Sequence, residues 1–387
     1  MKLKKIIHSP ILIFCLLFSK ELTAQKNNFK LTGTLNGFPN DTKVIFTYPN
    51  LDDFVLDTNV LNIHNNTFHF TGLIKTPQLF QLEFSNSEFD VITNYMFLDT
   101  GEQKISIDKK NLKFNSYFIN GSAVNQHYLN DFLPLLKEYD SLHYNWEKQM
   151  QKLYDQNEGL TLEKKRGILR TEYINNIRPL KDSALLHFTL KETDPFISLW
   201  LLNEYIKANG YSEIYKTILN LIPDKYLQSN IGKLVKENCK DLSKTAIGET
   251  LPTLKLIDMN HQPLKISYTK NSSKYILIDF WFAHCGACIR QFPFLKDIYQ
   301  QFSRKYFTIY SISIDNEKNI PLAKQIVSNQ KIKWPIFFDV NGLNILKIIG
   351  NTFPSNVLIN SSGKIIAKNI EPVMLLDFLK RKKTEDL

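Results

Sequence analysis

Two cysteines three residues apart, Cys285 and Cys288, form the pair whose type and spacing most directly support chemistry. They follow the run 275–282, whose β-branched and aromatic residues predict a buried strand. The pair lies where this strand should turn into a helix, so unpaired backbone N–H groups and the helix dipole favour a thiolate there. A thiolate with a second thiol one helical turn away forms a dithiol–disulfide redox couple.

The helix that follows should expose the two thiols to different degrees. Apolar residues spaced four, three, four and three apart predict one buried face, formed by Cys288, Phe292, Leu295, Tyr299 and Phe302. Cys288 is therefore expected on the buried side, and Cys285, at the helix start, on the open side. We expect Cys285 to attack a substrate sulfur and Cys288 to resolve the mixed disulfide. A helix N-terminus can lower a thiol pKa from ~8.5 to between ~3.5 and ~7.5.

Length and composition predict a protein of two or three domains with packed cores. The chain has 387 residues, of which 43% are hydrophobic and 12% aromatic. Its formal net charge is +10, but the basic residues form no dense stripe. We therefore expect a solvated, mildly basic surface and no binding to nucleic acid.

The first 24 residues have the pattern of a signal peptide. Lysines at positions 2, 4 and 5 precede the apolar run 6–18, and a cut is expected after Ala24. Because the segment holds four lysines and one glutamate, its removal lowers the net charge from +10 to +7. The apolar run is short and interrupted for a membrane span. Retention as an N-terminal anchor stays an open alternative.

The mature chain would keep one close cysteine pair and one odd cysteine, Cys239. A disulfide-stapled fold would carry more cysteines in pairs, so this count favours a redox site over a structural framework. A structural zinc site would need four ligands, and no second Cys-x-x-Cys pair is present. We expect no metal, and we interpret Cys239 as a buried, inert thiol rather than a resolving thiol or a zinc ligand.

Three composition zones follow the signal segment. Residues 28–120 alternate apolar and polar positions between Asn-, Gly- and Pro-rich turns, which predicts a small all-β sandwich. Residues 121–245 change to helical spacing and predict a helical linker domain, part of it a long hairpin. In residues 246–387 strands alternate with helices, which predicts an α/β domain with a parallel-containing sheet covered on both faces.

Several further residues make residues ~248–385 resemble the thioredoxin-fold domain of the exported TlpA/ResA-like thiol–disulfide oxidoreductases. Asp279 lies six residues before Cys285, Pro293 lies five after Cys288, and Phe353-Pro354 precedes a predicted strand. The family carries a buried acid, a helix-kinking proline and a cis-proline at these places. The β segment resembles, more loosely, an uncharacterised β-domain that is often fused to such domains in bacteria.

Three positions depart from the family pattern. His284 stands where tryptophan usually precedes the first cysteine, and Gly286-Ala287 replaces Gly-Pro or Pro-Pro between the cysteines. Gln291 stands three residues after Cys288, where many members carry glutamate. Because each of these positions tunes thiol acidity in the family, the redox potential does not carry over to this chain.

The resemblance implies roles for the remaining site residues. Asp279 would accept the proton of Cys288, with a pKa raised by burial; the alternative is a strand-end polar residue satisfied by the backbone. Pro354, if cis, would lie opposite the cysteines and expose the Phe353 backbone to an extended substrate; the alternative is an ordinary proline that opens an edge strand. His284 would stabilise the thiolate when protonated, or is a surface substitution.

Together, the residues and the resemblance predict an exported thiol–disulfide oxidoreductase of the periplasm or cell envelope that reduces client proteins. No cofactor is expected beyond the redox-active Cys285–Cys288 disulfide. The partners would be disulfide-bearing clients and a thiol electron donor. A membrane-side location and self-association through the helical hairpin stay open. The alternative function is a partner-binding protein that uses the fold as a scaffold with little redox activity.

Overall fold

A computed structural model describes residues 27–39, 41–49, 56–86, 90–93, 95–110, 118–156, 159–191, 194–266 and 273–386. The expected signal segment 1–24 lies outside these residues. Within the described part of the chain, none of the helices combines the length and the hydropathy that a membrane span requires.

The N-terminal region is all-β, as the sequence predicts. Its strands are β1 (Phe29–Asn36), β2 (Lys43–Pro49), β3 (Leu56–Leu61), β4 (Ile63–His64), β5 (Thr67–Gly72), β6 (Gln78–Ser85), β7 (Asp90–Ile92), β8 (Met96–Leu98), β9 (Gly101–Asp108) and β10 (Phe118–Asn120). One sheet has the order β10-β9-β1-β5-β4, and the other has the order β3-β2-β6-β7, with β8 also paired to β6. The inward residues of both sheets, including Leu31, Phe46 and Phe84, share one core.

The middle region is helical. Its α-helices are α1 (Ala123–His127), α2 (Lys137–Tyr154), α3 (Leu160–Glu172), α4 (Arg178–Leu190), α5 (Pro195–Asn209), α6 (Glu213–Leu221), α7 (Asp224–Leu227) and α8 (Asn230–Ser243). Short π and 3-10 turns occupy Tyr128–Phe132, Leu133–Leu136 and Tyr173–Ile177. The helices α2 and α3 form the expected hairpin, in which the Trp146 indole donates a hydrogen bond to the Leu169 carbonyl at 2.8 Å.

The C-terminal region is an α/β domain, as the sequence predicts. Its strands are β11 (Lys255–Ile257), β12 (Pro263–Lys265), β13 (Tyr275–Trp281), β14 (Phe307–Ser313), β15 (Ile336–Phe338), β16 (Ser355–Asn360) and β17 (Ile365–Lys368). Its α-helices are α9 (Gly286–Gln301), α10 (Ile320–Asn329), α11 (Leu346–Ile349) and α12 (Pro372–Glu385), and Val340–Gly342 forms a 3-10 turn.

One seven-stranded sheet organises this domain, with the order β12-β11-β15-β14-β13-β16-β17. The central strand β13 is buried along its whole length and pairs in parallel with β14 and antiparallel with β16. Hydrophobic clusters lie on both faces of the sheet, one of them containing α9 and α12. The carboxyl end of β13 therefore leads from the buried centre of the sheet into the cysteine pair.

The helical region packs against the α/β domain through specific hydrogen bonds. The Thr245 hydroxyl donates to the Ile348 carbonyl at 2.5 Å, and the Thr352 hydroxyl donates to the Ala208 carbonyl at 2.7 Å. Thr352 lies two residues before Pro354, so the end of α5 contacts the segment that leads into the proline loop.

Candidate active site

The cysteine pair lies at the start of α9, as its spacing predicts. Cys285 is the N-cap residue, and the backbone N–H of Cys288 donates a hydrogen bond to the Cys285 sulfur at 3.1 Å. The two cysteines form a disulfide, with their Cα atoms 5.3 Å apart. The sulfur of Cys285 is thus held by a backbone donor of the first helical turn, where negative charge is favoured.

The sequence analysis expects Cys285 to be accessible, and the structure shows that it is less accessible than expected. Cys285 is 7% exposed and Cys288 is 2% exposed, so both are buried, although Cys285 remains the more accessible of the two. The reason is tertiary packing: the half-buried rings of Phe282 and Phe353 stack edge to face at 5.4 Å and belong to the shell of the same hydrophobic cluster. Little of Cys285 is therefore accessible to a substrate sulfur in this structure.

Asp279 lies in the middle of β13 and is 3% exposed. The β13–β14 register places it opposite Ser311, whose hydroxyl donates a hydrogen bond to Asp279 Oδ2 at 2.8 Å. Burial raises the pKa of Asp279 to about 7, and the hydrogen bond from Ser311 partly opposes this rise. The raised pKa agrees with the sequence analysis, and the role of Asp279 as proton acceptor stays a prediction.

The proline loop reaches the same edge of the sheet as the dithiol. The Phe353–Pro354 peptide bond is cis, as the resemblance implies. In the antiparallel register Ser355 pairs with Phe280, so Pro354 lies level with the end of β13. Phe353 and Pro354 are half-buried, and together with the contact of the two phenylalanine rings this arrangement places the loop beside the turn that leads into Cys285.

The turn between β13 and α9 is fixed by an aspartate to which the sequence analysis assigns no role. Asp315 Oδ2 accepts hydrogen bonds from the Ala283 backbone at 2.9 Å and from the Ser313 hydroxyl at 2.7 Å. Burial raises the pKa of Asp315, and these hydrogen bonds and the charge of His284 oppose the rise. His284 itself is exposed beside Cys285. Asp315 lies two residues beyond the end of β14, and this position in the sequence could have indicated a role beside the active-site turn.

A second group that sequence reasoning missed joins α9 to the helical region. The Gln291 side chain donates to Glu371 Oε2 at 3.3 Å, and Arg170 of α3 donates to both oxygens of Glu371, at 2.8 and 3.0 Å. Arg170 also pairs with Glu163. Burial raises the pKa of Glu371, and the Arg170 cation opposes the rise. The departure at Gln291 thus supplies a neutral donor to a carboxylate that already has a cation.

Cys239 lies on α8, away from the cysteine pair in the fold, and it is buried and outside any disulfide. Burial raises the pKa of its thiol. Both features fit the interpretation of Cys239 as an inert packing residue. Among the described residues, no group of three His, Cys, Asp or Glu side chains could hold a metal ion.

Comparison with known proteins gives two domain matches. Residues 246–377 match the Redoxin family, and residues 29–128 match a domain of unknown function, DUF4369. The Redoxin match includes the dithiol, Asp279 and the proline loop. The two matches together leave most of the helical middle region unmatched.

Individual relatives cover the same C-terminal region. The chain is similar to the thiol-disulfide oxidoreductase ResA of Bacillus cereus, with 25% identity over 134 residues, which is 34% of this chain and 73% of that protein. It is also similar to ResA of Halalkalibacterium halodurans, with 24% identity over 33% of this chain and 69% of that protein. A solved thioredoxin domain of a thiol-disulfide oxidoreductase from Bacteroides vulgatus is 29% identical, with a TM-score of 0.31, and the match covers 35% of this chain and 97% of that one.

Proposed function

We propose that this protein is an exported oxidoreductase that reduces disulfides of client proteins. The proposal starts from the match of residues 246–377 to the Redoxin family and from the similarity of the chain to ResA. The observation that carries the proposal is the hydrogen bond from the Cys288 N–H to the Cys285 sulfur at 3.1 Å. This donor would stabilise a thiolate on Cys285, which supports its assignment as the attacking sulfur.

The reaction consumes the dithiol and one client disulfide. The Cys285 thiolate attacks one client sulfur, the client S–S bond breaks, and the departing client thiolate takes a proton from water. Asp279 removes the proton of Cys288, whose thiolate then attacks the Cys285 sulfur of the mixed disulfide. The Cys285–Cys288 bond forms, and the second client sulfur leaves as a thiolate that takes up the proton held by Asp279. Two electrons have then passed from the dithiol to the client. A donor dithiol then reduces the Cys285–Cys288 bond in the reverse sequence.

The substrate would bind along the proline loop. The Phe353 backbone would pair with an extended client segment, and Pro354 would hold that segment against the dithiol. His284 is exposed next to Cys285, so it would contact the client and, when protonated, favour the thiolate. The low exposure of Cys285 supports a client segment that is extended and narrow rather than a folded surface.

The test is reduction of a disulfide-bonded test protein by the purified chain from Gln25 onward, with a small dithiol as donor. We expect turnover that Cys285→Ser abolishes and that Cys239→Ser leaves unchanged, since Cys239 is a buried cysteine outside the site. If Cys285→Ser performs as well as the parent, the enzyme proposal is wrong and the partner-binding alternative gains weight.

The direction of electron flow needs a separate measurement. An equilibrium titration of the dithiol against reduced and oxidised glutathione reports its reduction potential. A reductant requires a potential more negative than that of glutathione, and a more positive value would assign the chain to oxidation or isomerisation of clients instead.

Export is proposed from the pattern of residues 1–24 alone. Expression in a bacterial host that exports such proteins should give a mature chain in the envelope fraction. Its first residue, read by N-terminal sequencing, should be Gln25. A chain that keeps Met1 and sediments with membranes would favour the retained anchor.

A further inference from the structure

A line of three buried side chains ends on the Asp279 carboxyl group. The Trp334 indole Nε1 lies 2.9 Å from Ser311 Oγ, and Ser311 Oγ lies 2.8 Å from Asp279 Oδ2. Ser311 is fully buried in β14, and Trp334 precedes β15, which pairs with β14 beside it. Three neighbouring segments of the sheet therefore contribute one group each to a continuous hydrogen-bonded line.

The chemistry of the groups fixes the direction of this line. An indole N–H can only donate, so the Ser311 oxygen accepts from Trp334. The single proton of the hydroxyl is therefore free to be donated. Among the described residues, Asp279 Oδ2 accepts it. Oδ2 is therefore occupied by a donated proton whether or not the carboxyl group is ionised. The other oxygen, Oδ1, accepts no hydrogen bond from a described residue.

We propose that Ser311, oriented by Trp334, is a positioning residue that occupies Asp279 Oδ2 and leaves Oδ1 as the atom that exchanges a proton with the dithiol. The inference rests on the proposed function of Asp279 as proton acceptor, and it adds how that acceptor is tuned. A hydroxyl that donates to a carboxylate stabilises the ionised form. Without Ser311, a carboxyl group buried in β13 would ionise only at a higher pH and would be protonated when Cys288 needs a base.

Among the residues that the structure describes, no charged side chain compensates the carboxyl group of Asp279. The charged side chains on the elements packed around it hold partners of their own: Asp315 binds the Ala283 backbone, Asp339 binds the Ile345 backbone and Glu371 binds Arg170. Cys285 and Cys288 are joined in the disulfide. Burial and the Ser311 hydrogen bond are the two causes that act on the Asp279 pKa. Removal of the Ser311 hydroxyl should therefore change this pKa directly.

Trp334 also packs against α9, the helix that carries the dithiol. Its ring lies 6.4 Å from that of Phe292 and 5.4 Å from that of Tyr299, both on α9. The same indole thus supports the packing of α9 and orients the hydroxyl that reaches Asp279. This packing is why a substitution at Trp334 must keep an aromatic ring if it is to test the hydrogen bond alone.

The experiment is a carboxyl-carbon NMR titration of Asp279 in the oxidised full mature chain, in which neither site cysteine titrates. We expect Ser311→Ala to raise the Asp279 pKa by about one to two units, the effect of losing a hydrogen bond to a charged group. Trp334→Phe should raise it by less, because the hydroxyl stays but is no longer held in one orientation. Ser311→Thr, which keeps the hydroxyl, should restore the parent value.

The matched control is Ser313→Ala on the same strand. Ser313 is as buried as Ser311, but its hydroxyl donates to Asp315 instead. It should leave the Asp279 pKa unchanged. The proposal is overturned if Ser311→Ala leaves the pKa at the parent value, or if Ser313→Ala raises it equally. Should Ser311→Ala fail to fold, an unchanged pKa in Trp334→Phe overturns it. The titration involves no turnover, so its outcome is separate from that of the reductase assay.

Discussion

Two buried carboxyl groups of the C-terminal domain differ in what compensates their charge. Asp279 has a single hydroxyl donor and no cation, and burial raises its pKa to about 7. Glu371 is also buried, but Arg170 donates to both of its oxygens and Gln291 adds a third hydrogen bond. The pKa of about 7 at Asp279 suits the proton exchange that the proposed mechanism requires. At Glu371 the Arg170 cation opposes the rise in pKa that burial causes, and the carboxyl group joins α3 of the helical region to the active-site helix α9.

The largest effect should come from removing the cation of the fixed pair. In Arg170→Met, Glu371 keeps a buried charge without its ion-pair partner, and we expect the free energy of unfolding to fall by about 3–5 kcal/mol. Urea denaturation of the oxidised protein measures this change. Arg170→Met combined with Glu371→Gln should recover part of the loss, because the buried charge is then gone.

The control for this prediction is an exposed ion pair of the same domain, Lys274 with Asp386. Lys274→Met should leave the unfolding midpoint close to that of the parent, because exposed pairs contribute little. Equal losses for Arg170→Met and Lys274→Met would mean that the contact at Glu371 does not fix the two regions together.

The next effect is the contribution of Asp279 to the pH dependence of stability. Because its folded pKa is raised from 3.8 to about 7, the folded state keeps a proton that the unfolded state has lost between these pH values. Stability should therefore fall by about 1.4 kcal/mol per pH unit as the pH rises through this window, and level off above it. Asp279→Asn should remove this component of the pH profile.

The measurement is the difference in unfolding free energy between Asp279→Asn and the parent from pH 4.5 to pH 8. We expect the variant to gain relative stability as the pH rises. Glu371→Gln, by contrast, leaves the Arg170 cation buried and should be less stable than the parent across the range. A flat difference for Asp279→Asn would contradict a raised pKa at this site and would erase the contrast between the two carboxyl groups.

The smallest effect should come from Gln291. Its amide donates one hydrogen bond to Glu371, so Gln291→Ala should lower the free energy of unfolding by about 1 kcal/mol. Gln300→Ala, on the same helix but exposed, should have no measurable effect. A loss at Gln291 as large as that at Arg170 would show that the amide, rather than the cation, holds the junction.

The features that the sequence predicts well depend on local pattern. The fully apolar run of β13, the helix start at Cys285 and the alternating strands of the sandwich follow from residue type and spacing along a short stretch. Edge strands such as β3 and β12 are harder to predict, because they carry polar or charged residues such as Asp57 and Lys265 and lack an apolar pattern. The helix α11 is four residues long, too short for periodicity to appear.

The features that the sequence does not predict depend on contacts between distant segments. Arg170 and Glu371 are 201 residues apart in the chain, and helical spacing in α3 does not indicate which partner its arginine meets. The low exposure of Cys285 has the same origin, because the hydrophobic cluster that contains Cys285 includes residues of distant segments, such as Trp334 and Leu375. Ser311 could have been found from strand register, but the pairing of β13 with β14 has to be known first.

The most direct test of the account is covalent trapping with a disulfide-bonded test protein. Reduced Cys288→Ser should accumulate a mixed disulfide with that protein, and mass spectrometry of the peptides should map it to Cys285. Cys285→Ser should trap little, because Cys288 is the more buried sulfur. An adduct on Cys288 in the Cys285→Ser variant, with none on Cys285 in the Cys288→Ser variant, would contradict the assignment of the attacking thiol and with it the proposed mechanism.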